Sequence, residues 1–249
     1  MSERILDPKI FKALVFDLDG VITQTADLHA ESWKKMFDEY LNTLSERGKA
    51  QEPFSIEHDY TAYVDGRPRY RGVKAFLDSR GIELPFGDPS DPPDRETVCG
   101  LGNRKNLIFN ELLDTRGATV FDDGAELART ARQRGIRVAI ATSSRNGRKV
   151  LKSAGLTDAF DAVFDGNDLK NENLEGKPAP DMFVAAAARV DAVPGNSVVF
   201  EDAISGVQAG RKGGFRLVVG VDRVGGDHPA NLAEYADIVL SDLSELKIG

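Results

Sequence analysis

The sequence has little cysteine and no long apolar run. Cys99 is the only cysteine among 249 residues, so the chain cannot form an intrachain disulfide and lacks the partners of a zinc site. No apolar run approaches the roughly 20 residues that span a bilayer, and the charged N-terminal residues lack the apolar core of a signal peptide. These absences predict a cytoplasmic protein, in a reducing compartment, with no membrane partner.

An excess of positive charge is also missing, because the formal net charge is −8 at pH 7. We therefore expect no nucleic-acid partner, since phosphate backbones are bound by basic surfaces. An acidic protein can still bind an anion, but it needs a local basic pocket or a metal ion to do so. The 249 residues allow a full hydrophobic core and part of a second domain.

Short apolar, β-branched runs recur along the chain, and each is followed by turn residues and a helical pattern. Their hydrophobicity is continuous rather than alternating, which is typical of strands buried on both faces. Strand and helix alternate, so we predict a doubly wound parallel α/β sheet, with ligands beyond the carboxyl ends of its strands. The predicted strands are 13–16, 137–142, 162–164, 197–200, 216–221 and 237–240. The predicted helices are 125–134, 148–154, 180–190 and 204–212.

One region interrupts this alternation. Residues 26–113 show apolar residues at helical spacing but no convincing buried strand, which predicts a helical insert within an α/β core formed by 1–25 and 114–249. The sheet is expected to resume near Phe121. Within the insert, residues 85–97 carry four prolines and four acidic residues, which indicates an exposed loop.

Acidic residues follow two of the predicted strands. Asp17 and Asp19 are two residues apart, so a regular strand would point both to one face, and Gly20 permits a sharp turn after them. Glu201 and Asp202 follow a second strand. Carboxylates gathered this closely repel one another unless a cation lies among them, and Mg²⁺ is the hard cation that usually works with bound phosphate. The alternatives are a chance pair of turn acids and an acidic helix start.

Two further segments can bind an anion. Thr142, Ser143, Ser144 and Asn146 lie between a predicted strand and a helix, where hydroxyl and N–H groups form either an anion site or an ordinary helix cap. Lys177 is followed by a proline-containing segment that would fix its direction. It either balances phosphate charge or is a solvent-exposed lysine before a helix.

The order of these motifs is more specific than any one of them. "FDLDG", a strand ending in Thr/Ser, a lysine before proline and a strand ending in "ED" together resemble the haloacid dehalogenase superfamily. Within it, "FDLDGVITQTADLHAESW", "GKPAPDMFVAAA" and "FEDAISGVQAG" are similar to the β-phosphoglucomutase branch. The resemblance covers the core and is thinner over residues 45–116, where only "DGRPRYRG" is similar.

The resemblance implies roles for the residues already singled out. Asp17 would be the nucleophile that carries an aspartyl phosphate, and Asp19 the general acid and base. Mg²⁺ would be held by Asp17, the main-chain carbonyl of Asp19, Glu201 and Asp202. Thr142 and Lys177 would contact the transferring phosphoryl group. The remaining phosphate-binding residues would be Thr25, Ser143, Ser144 and Asn146.

The resemblance also implies that the helical insert is a cap that closes over the site and excludes water. His29, four residues before Trp33 on one helical face, would couple cap closure to Asp19, or else it is an edge residue of the cap core. Gly66, Arg67 and Arg69 lie in a basic patch that would read the substrate, with Arg69 gripping the phosphate that is not transferred. The alternative for this patch is a solvated helix start.

The leading prediction is a Mg²⁺-dependent phosphomutase, a monomer, that converts the small phosphorylated sugar β-glucose 1-phosphate to glucose 6-phosphate. The alternative is a phosphatase that hydrolyses a sugar phosphate or another small phosphate ester with the same residues. A third hypothesis, a catalytically silent binding protein, is disfavoured because all the implied catalytic residues are present.

Overall fold

The structure is a computed structural model, and it describes residues 4–65 and 67–249. The chain forms two compact units. The first unit runs to Thr25 and resumes at Ala118, and the second is Ala26–Gly117. The predicted insert, 26–113, ends inside a helix that continues to Arg116.

A six-stranded parallel sheet forms the centre of the first unit. Its strands are β2 (Ala13–Phe16), β5 (Arg137–Ala141), β6 (Ala162–Phe164), β7 (Ser197–Glu201), β8 (Leu217–Val221) and β9 (Ile238–Leu240). The order β6-β5-β2-β7-β8-β9 places β2 centrally, and all four of its residues are buried. The predicted doubly wound α/β class is confirmed, because continuous apolar strands are stable where helices cover both faces.

Helices alternate with these strands along the chain. They are α4 (Asp122–Gln133), α5 (Gly147–Ser153), α6 (Gly166–Asn171), α7 (Asp181–Ala188), α8 (Ile204–Lys212) and α9 (His228–Ala233). The small side chains of α7 let Met182 and Phe183 pack fully buried in the core beside β2 and β5. Each of the four helices predicted in this unit is present, and 204–212 has the predicted bounds.

Two small pairings in the first unit were not predicted. β1 (Arg4–Leu6) pairs in parallel with β10 (Leu246–Ile248), and β3 (Thr23–Gln24) pairs antiparallel with β4 (Thr119–Val120). Each of these four short strands contains a charged or polar residue, so none of them forms the continuous apolar run that predicted the strands of the main sheet. The expectation that the main sheet resumes near Phe121 is wrong, because Phe121 precedes α4 and its N–H donates to the carbonyl of Ile22 at 2.9 Å.

The regular secondary structure of the second unit is helical in its described residues. It contains α1 (Ala26–Glu46), a π-helical segment (Ile56–Val64), α2 (Arg69–Ser79) and α3 (Val98–Arg116). An aromatic cluster forms its core, in which the ring of Phe37 lies 5.5 Å from Trp33, 5.1 Å from Phe54 and 4.1 Å from Phe76. In the part of the chain that the structure describes, no helix combines the length and the apolar character that crossing a membrane requires.

The proline- and acid-rich segment, residues 85–97, has no helix or strand, but it is not simply exposed. Asp91 and Thr97 are buried, contrary to the prediction. The Thr97 hydroxyl donates to the Asp91 carboxylate at 2.7 Å and accepts from the N–H of Gly100 at 2.9 Å. Thr97 is thus the N-cap of α3, and the segment folds back onto the start of that helix.

Candidate active site

The ends of β2 and β7 bring two carboxyl groups side by side. Phe16 pairs with Phe200 in the parallel ladder, and the N–H of Asp17 donates to the carbonyl of Phe200 at 2.9 Å. The next residue of each strand therefore carries its side chain to the same edge of the sheet. Asp17 is 5% exposed and Glu201 is 1% exposed, so both acids lie out of water.

Lys177 is the cation between these two acids. Its Nζ donates to Oδ1 of Asp17, in a short contact, and to Oε2 of Glu201 at 2.7 Å. The lysine side chain is only 9% exposed, and Nζ lies 5.1 Å from the ring centre of Phe183. The alternative of a solvent-exposed lysine is therefore wrong, because two buried carboxyl groups require a nearby positive charge.

The charges of this trio shift two of its pKa values. Burial by itself lowers the pKa of Lys177, but the carboxylates of Asp17 and Glu201 outweigh burial and raise it. Burial raises the pKa of Glu201 to about 8, with Lys177 opposing the rise and Asp17 adding to it. One ammonium thus faces two carboxyl groups, of which Glu201 is shifted toward its protonated form, and a second cation would favour the carboxylate form of both acids.

Asp19 lies in a turn rather than on a strand. β2 ends at Phe16, so the expectation that Asp17 and Asp19 share a strand face is wrong. Gly20 has a φ of +84°, and its N–H donates to the carbonyl of Thr23 at 2.8 Å, which closes the turn. Thr25 donates its hydroxyl to Oδ1 of Asp19 in a short contact. Thr25 therefore orients Asp19, and its hydroxyl also lies 3.4 Å from the hydroxyl of Thr23.

Asp202 reaches the same turn from the end of β7. A Cβ atom added at Gly20 would collide with the Asp202 carboxylate, so this carboxylate occupies the space over the glycine. Gly20 is thus required both by its φ and by the close approach of Asp202. The turn after β2 and the end of β7 together gather all four predicted acids, Asp17, Asp19, Glu201 and Asp202, at one edge of the sheet.

This donor set fits Mg²⁺. Within residues 4–65 and 67–249, the structure shows no group of three or more His, Cys, Asp or Glu side chains that could hold a metal ion, and Lys177 lies between Asp17 and Glu201. Mg²⁺ does not need such a group, because it binds through one or two carboxylates, its own waters and substrate phosphate. Asp17 and Asp202, which flank the Gly20 turn, supply hard oxygen donors of that kind.

The segment after β5 holds the predicted hydroxyl residues. Thr142 is 1% exposed, and its Oγ1 accepts from the N–H of Ser144 at 3.1 Å. Ser144 in turn accepts from the N–H of Asn146 at 3.2 Å, and the Ser143 hydroxyl lies 3.9 Å from Sδ of Met182. Asn146 makes no side-chain cap to α5, so the ordinary helix cap is absent at this residue. These residues form a turn after β5, the strand that neighbours β2.

In the second unit, His29 pairs with a residue that sequence reasoning missed. Nζ of Lys105 lies 2.7 Å from Nδ1 of His29, and the imidazole stacks on Phe109 at 4.2 Å. Burial, then the charges of Lys105 and Arg69, lower the pKa of His29 well below its ordinary value. The imidazole is therefore neutral and accepts a hydrogen bond from the ammonium. Lys105 is itself 5% exposed, with Nζ 5.1 Å from the ring centre of Trp33.

The signal for Lys105 was its position in the helical pattern. It lies in "GLGNRK", which is part of α3, and the buried residues Leu101, Ile108 and Phe109 share its helical face. A lysine at a buried position of an apolar stripe requires a polar partner.

In the basic patch, Arg67 donates to the carbonyl of Ala62 at 3.1 Å and Arg69 to Oδ1 of Asn106 at 2.7 Å. Gly66 lies outside the described residues.

Comparison with known proteins gives one family. The model of the haloacid dehalogenase-like hydrolases matches residues 11–214. The chain is 47% identical over 242 residues to a beta-phosphoglucomutase of Mycobacterium bovis, a match that covers 96% of this chain and 92% of the relative. A beta-phosphoglucomutase of Bacillus subtilis is 29% identical over 238 residues, covering 95% and 92%. The crystal structure of a beta-phosphoglucomutase from Clostridium difficile has a TM-score of 0.75 at 23% identity, covering 95% of this chain and 93% of that one, which shows a shared fold.

Proposed function

Because the chain belongs to the haloacid dehalogenase-like hydrolase family, we propose that it is a β-phosphoglucomutase that converts β-glucose 1-phosphate to glucose 6-phosphate. It is a phosphomutase or a closely related phosphatase. The observation that carries the proposal is the buried Asp17 carboxylate, held by Lys177 at the sheet edge that also presents Asp19 and Asp202. The relative at 47% identity supports the mutase in particular.

Asp17 acts as the nucleophile in this proposal. A carboxylate oxygen of Asp17 forms a bond to phosphorus, the bond from phosphorus to the departing oxygen breaks, and the chain carries an aspartyl phosphate. Lys177 orients the carboxylate through Oδ1, and its charge offsets that of the incoming phosphoryl group. Thr142 and the turn at Ser143, Ser144 and Asn146 supply hydroxyl and N–H groups to phosphoryl oxygens.

Asp19 acts as the general acid and base. It protonates the oxygen that leaves and accepts the proton of the sugar hydroxyl that attacks the aspartyl phosphate. Thr25 fixes the carboxyl group of Asp19 for both steps. Mg²⁺, when bound, supplies positive charge that reduces the repulsion between Asp17 and the substrate phosphate. The groups that would hold Mg²⁺ are Asp17, the main-chain carbonyl of Asp19, Glu201 and Asp202.

The second unit, Ala26–Gly117, acts as the cap in this proposal. Closure of a cap excludes water, which would otherwise hydrolyse the aspartyl phosphate before a sugar hydroxyl can accept the group. His29 and Lys105 form a buried polar pair in this unit, and Arg69 lies close enough to lower the pKa of His29. We assign the positive charge of Arg69 to the phosphate that is not transferred.

The second candidate function is a phosphatase, which the hydrolase character of the family favours. The same residues would form the aspartyl phosphate, and water would then accept the phosphoryl group. We expect a cytoplasmic monomer that acts on a small phosphorylated sugar in either case, and these three properties stay predictions.

A substrate panel distinguishes the candidates. The chain is incubated with Mg²⁺, β-glucose 1-phosphate and a trace of glucose bisphosphate, and both glucose 6-phosphate and free phosphate are followed. Isomer formed without phosphate release is the expected result, whereas stoichiometric phosphate release would support the phosphatase. Asp17→Asn, which keeps the size of the side chain but not its nucleophilic oxygen pair, should abolish both products. Unchanged turnover in that variant would contradict both functions.

A further inference from the structure

A histidine outside the predicted site contacts one of its acids. His228 is the first residue of α9, and its Nε2 lies 2.9 Å from the main-chain carbonyl oxygen of Asp202. Its other ring nitrogen, Nδ1, lies 2.8 Å from Oδ1 of Asp222. The side chains of His228 and Asp222 are 24% and 11% exposed. His228 thus connects Asp222, after the end of β8, with Asp202, after the end of β7.

Both partners of His228 accept hydrogen bonds. The Asp202 oxygen belongs to a main-chain carbonyl. Burial by itself raises the pKa of Asp222, but the N–H groups of Gly225 and Val224 and the His228 ring lower it below its ordinary value, so Asp222 is a carboxylate. Each ring nitrogen of His228 thus faces a hydrogen-bond acceptor, so the ring lies as a bridge between Asp222 and the Asp202 carbonyl.

The loop that carries Asp222 is built to hold it in place. The N–H of Asp222 donates to the carbonyl of Leu240 at 2.8 Å, which ties the residue to β9. Its Oδ1 also accepts from the N–H of Val224 at 3.1 Å and of Gly225 at 2.9 Å. Gly225 and Gly226 have φ values of +78° and +63°, and this turn returns the chain to His228. The imidazole is thus anchored to the sheet through Asp222.

Asp202, by contrast, lies beyond the last residue of β7 and outside the ladder. The Asp202 carboxylate lies over the Gly20 turn. Its direction depends on the orientation of the main chain at Asp202. We propose that His228, anchored by Asp222, is a positioning residue that fixes the Asp202 carbonyl and thereby directs the Asp202 carboxylate to the metal site. This inference rests on the proposed function, since it concerns the metal ligand assigned there.

The test measures metal binding rather than turnover. Mn²⁺ alone is the probe, because free Mn²⁺ is counted by its electron paramagnetic resonance signal during titration of the metal-free chain. We expect His228→Ala to raise the Mn²⁺ dissociation constant about 10- to 100-fold, the usual effect of losing a partner outside the first ligand shell. His228→Gln keeps an N–H donor for the Asp202 carbonyl and should recover part of the affinity. Asp222→Ala should weaken binding in the same direction.

Asp227→Ala is the matched control, because Asp227 is exposed, precedes His228 and makes no side-chain cap to α9. It should bind Mn²⁺ as the parent does. Thermal midpoints in EDTA report the fold of each variant without metal. An unchanged Mn²⁺ dissociation constant in folded His228→Ala would overturn this inference and leave the proposed function unaffected. Equal losses of affinity and of thermal midpoint in His228→Ala and His228→Gln would also overturn it, because they indicate packing. A parent chain that does not bind Mn²⁺ would contradict the proposed metal site, and this inference with it.

Discussion

Lys177 shows what a single buried charge does in this molecule. Its ammonium is the partner of two buried carboxyl groups, so Lys177→Met would leave both of them without a cation. Breaking such a buried pair typically costs about 3–5 kcal/mol, because the remaining charge is uncompensated. We expect Lys177→Met to lose that much free energy of unfolding in urea and to lose its activity.

The matched control for this change is Lys152→Met, since Lys152 is exposed in α5. It should unfold at the urea concentration of the parent. Removing one of the two carboxyl charges as well, in Lys177→Met/Glu201→Gln, should recover part of the lost stability but none of the activity. If Lys177→Met unfolds with the free energy of the parent, the ion pairs of Lys177 do not contribute as the structure indicates.

His29 makes the stability of the chain depend on pH. Its pKa in the folded chain is well below the ordinary 6.5, so between these two values the unfolded chain binds a proton that the folded chain does not. The contribution of His29 to the free energy of unfolding therefore falls as the pH drops below about 6.5, by up to about 1.4 kcal/mol per pH unit, while Glu201, with its pKa raised to about 8, contributes in the opposite direction. Protonated His29 would face the ammonium of Lys105 directly.

His29→Gln keeps an acceptor for Lys105 and has no proton to gain. Urea unfolding at pH 7.5 and pH 5.5 should show a smaller loss of stability in this variant than in the parent. His58→Gln is the control, because His58 is exposed on the same unit, and its loss should equal that of the parent. Equal losses in all three chains would show that His29 does not titrate as described.

At the scale of elements, the start of α3 depends on one hydroxyl. Thr97 caps Gly100 and also donates to the buried Asp91 carboxylate, so one side chain joins the proline-rich segment to the helix. Thr97→Ala should lower the free energy of unfolding by about 1–2 kcal/mol, the value of a lost N-cap. Thr97→Ser retains the hydroxyl and should lose no more than about 0.8 kcal/mol in the same urea titration, the value of one buried methyl-sized group. A larger loss in the serine variant would point to the Thr97 methyl group instead.

Elements differed in how well the sequence predicted them. The core strands were predicted within one residue at each end, because burial on both faces leaves a continuous apolar run that ends at polar turn residues. β3 and β4 have two residues each, and their pairing depends on contacts distant in sequence. The 85–97 segment was predicted as exposed because its composition is polar, whereas the structure buries Asp91 through hydrogen bonds that composition does not show.

The candidate site was predicted to a similar extent. Acids at two strand ends follow from sheet topology, but the bridge of Lys177 between them does not, since a lone lysine before a helix is usually solvated. Lys177 was placed at the site by the order of the four sequence motifs along the chain, and not by any property of the lysine alone. Lys105 and His228 were missed because each is defined by a partner far along the chain, His29 and Asp202 respectively.

At the scale of the whole molecule, the proposed Mg²⁺ site would couple ligand binding to the stability of the chain. Mg²⁺ that binds the folded chain and not the unfolded one adds about 2.7 kcal/mol to the free energy of unfolding at a hundredfold excess over its dissociation constant. For a chain of this length that corresponds to a rise of roughly 5–10 °C in the thermal midpoint. Asp202→Ala removes the carboxylate over Gly20 and should lose most of that rise, while its midpoint in EDTA stays near the parent's.

Calorimetry at constant ionic strength, with KCl in place of MgCl₂ as the control, separates specific binding from screening of the net charge of −8. Screening would raise the midpoints of the parent and of Asp202→Ala equally in both salts. Binding at the Gly20 turn should raise the thermal midpoint of the parent and not that of Asp202→Ala. It should do so only in MgCl₂, and in proportion to the logarithm of the Mg²⁺ concentration. If both chains gain the same stability from Mg²⁺, the ion binds elsewhere, and the sheet edge is not the metal centre that the phosphoryl transfer requires.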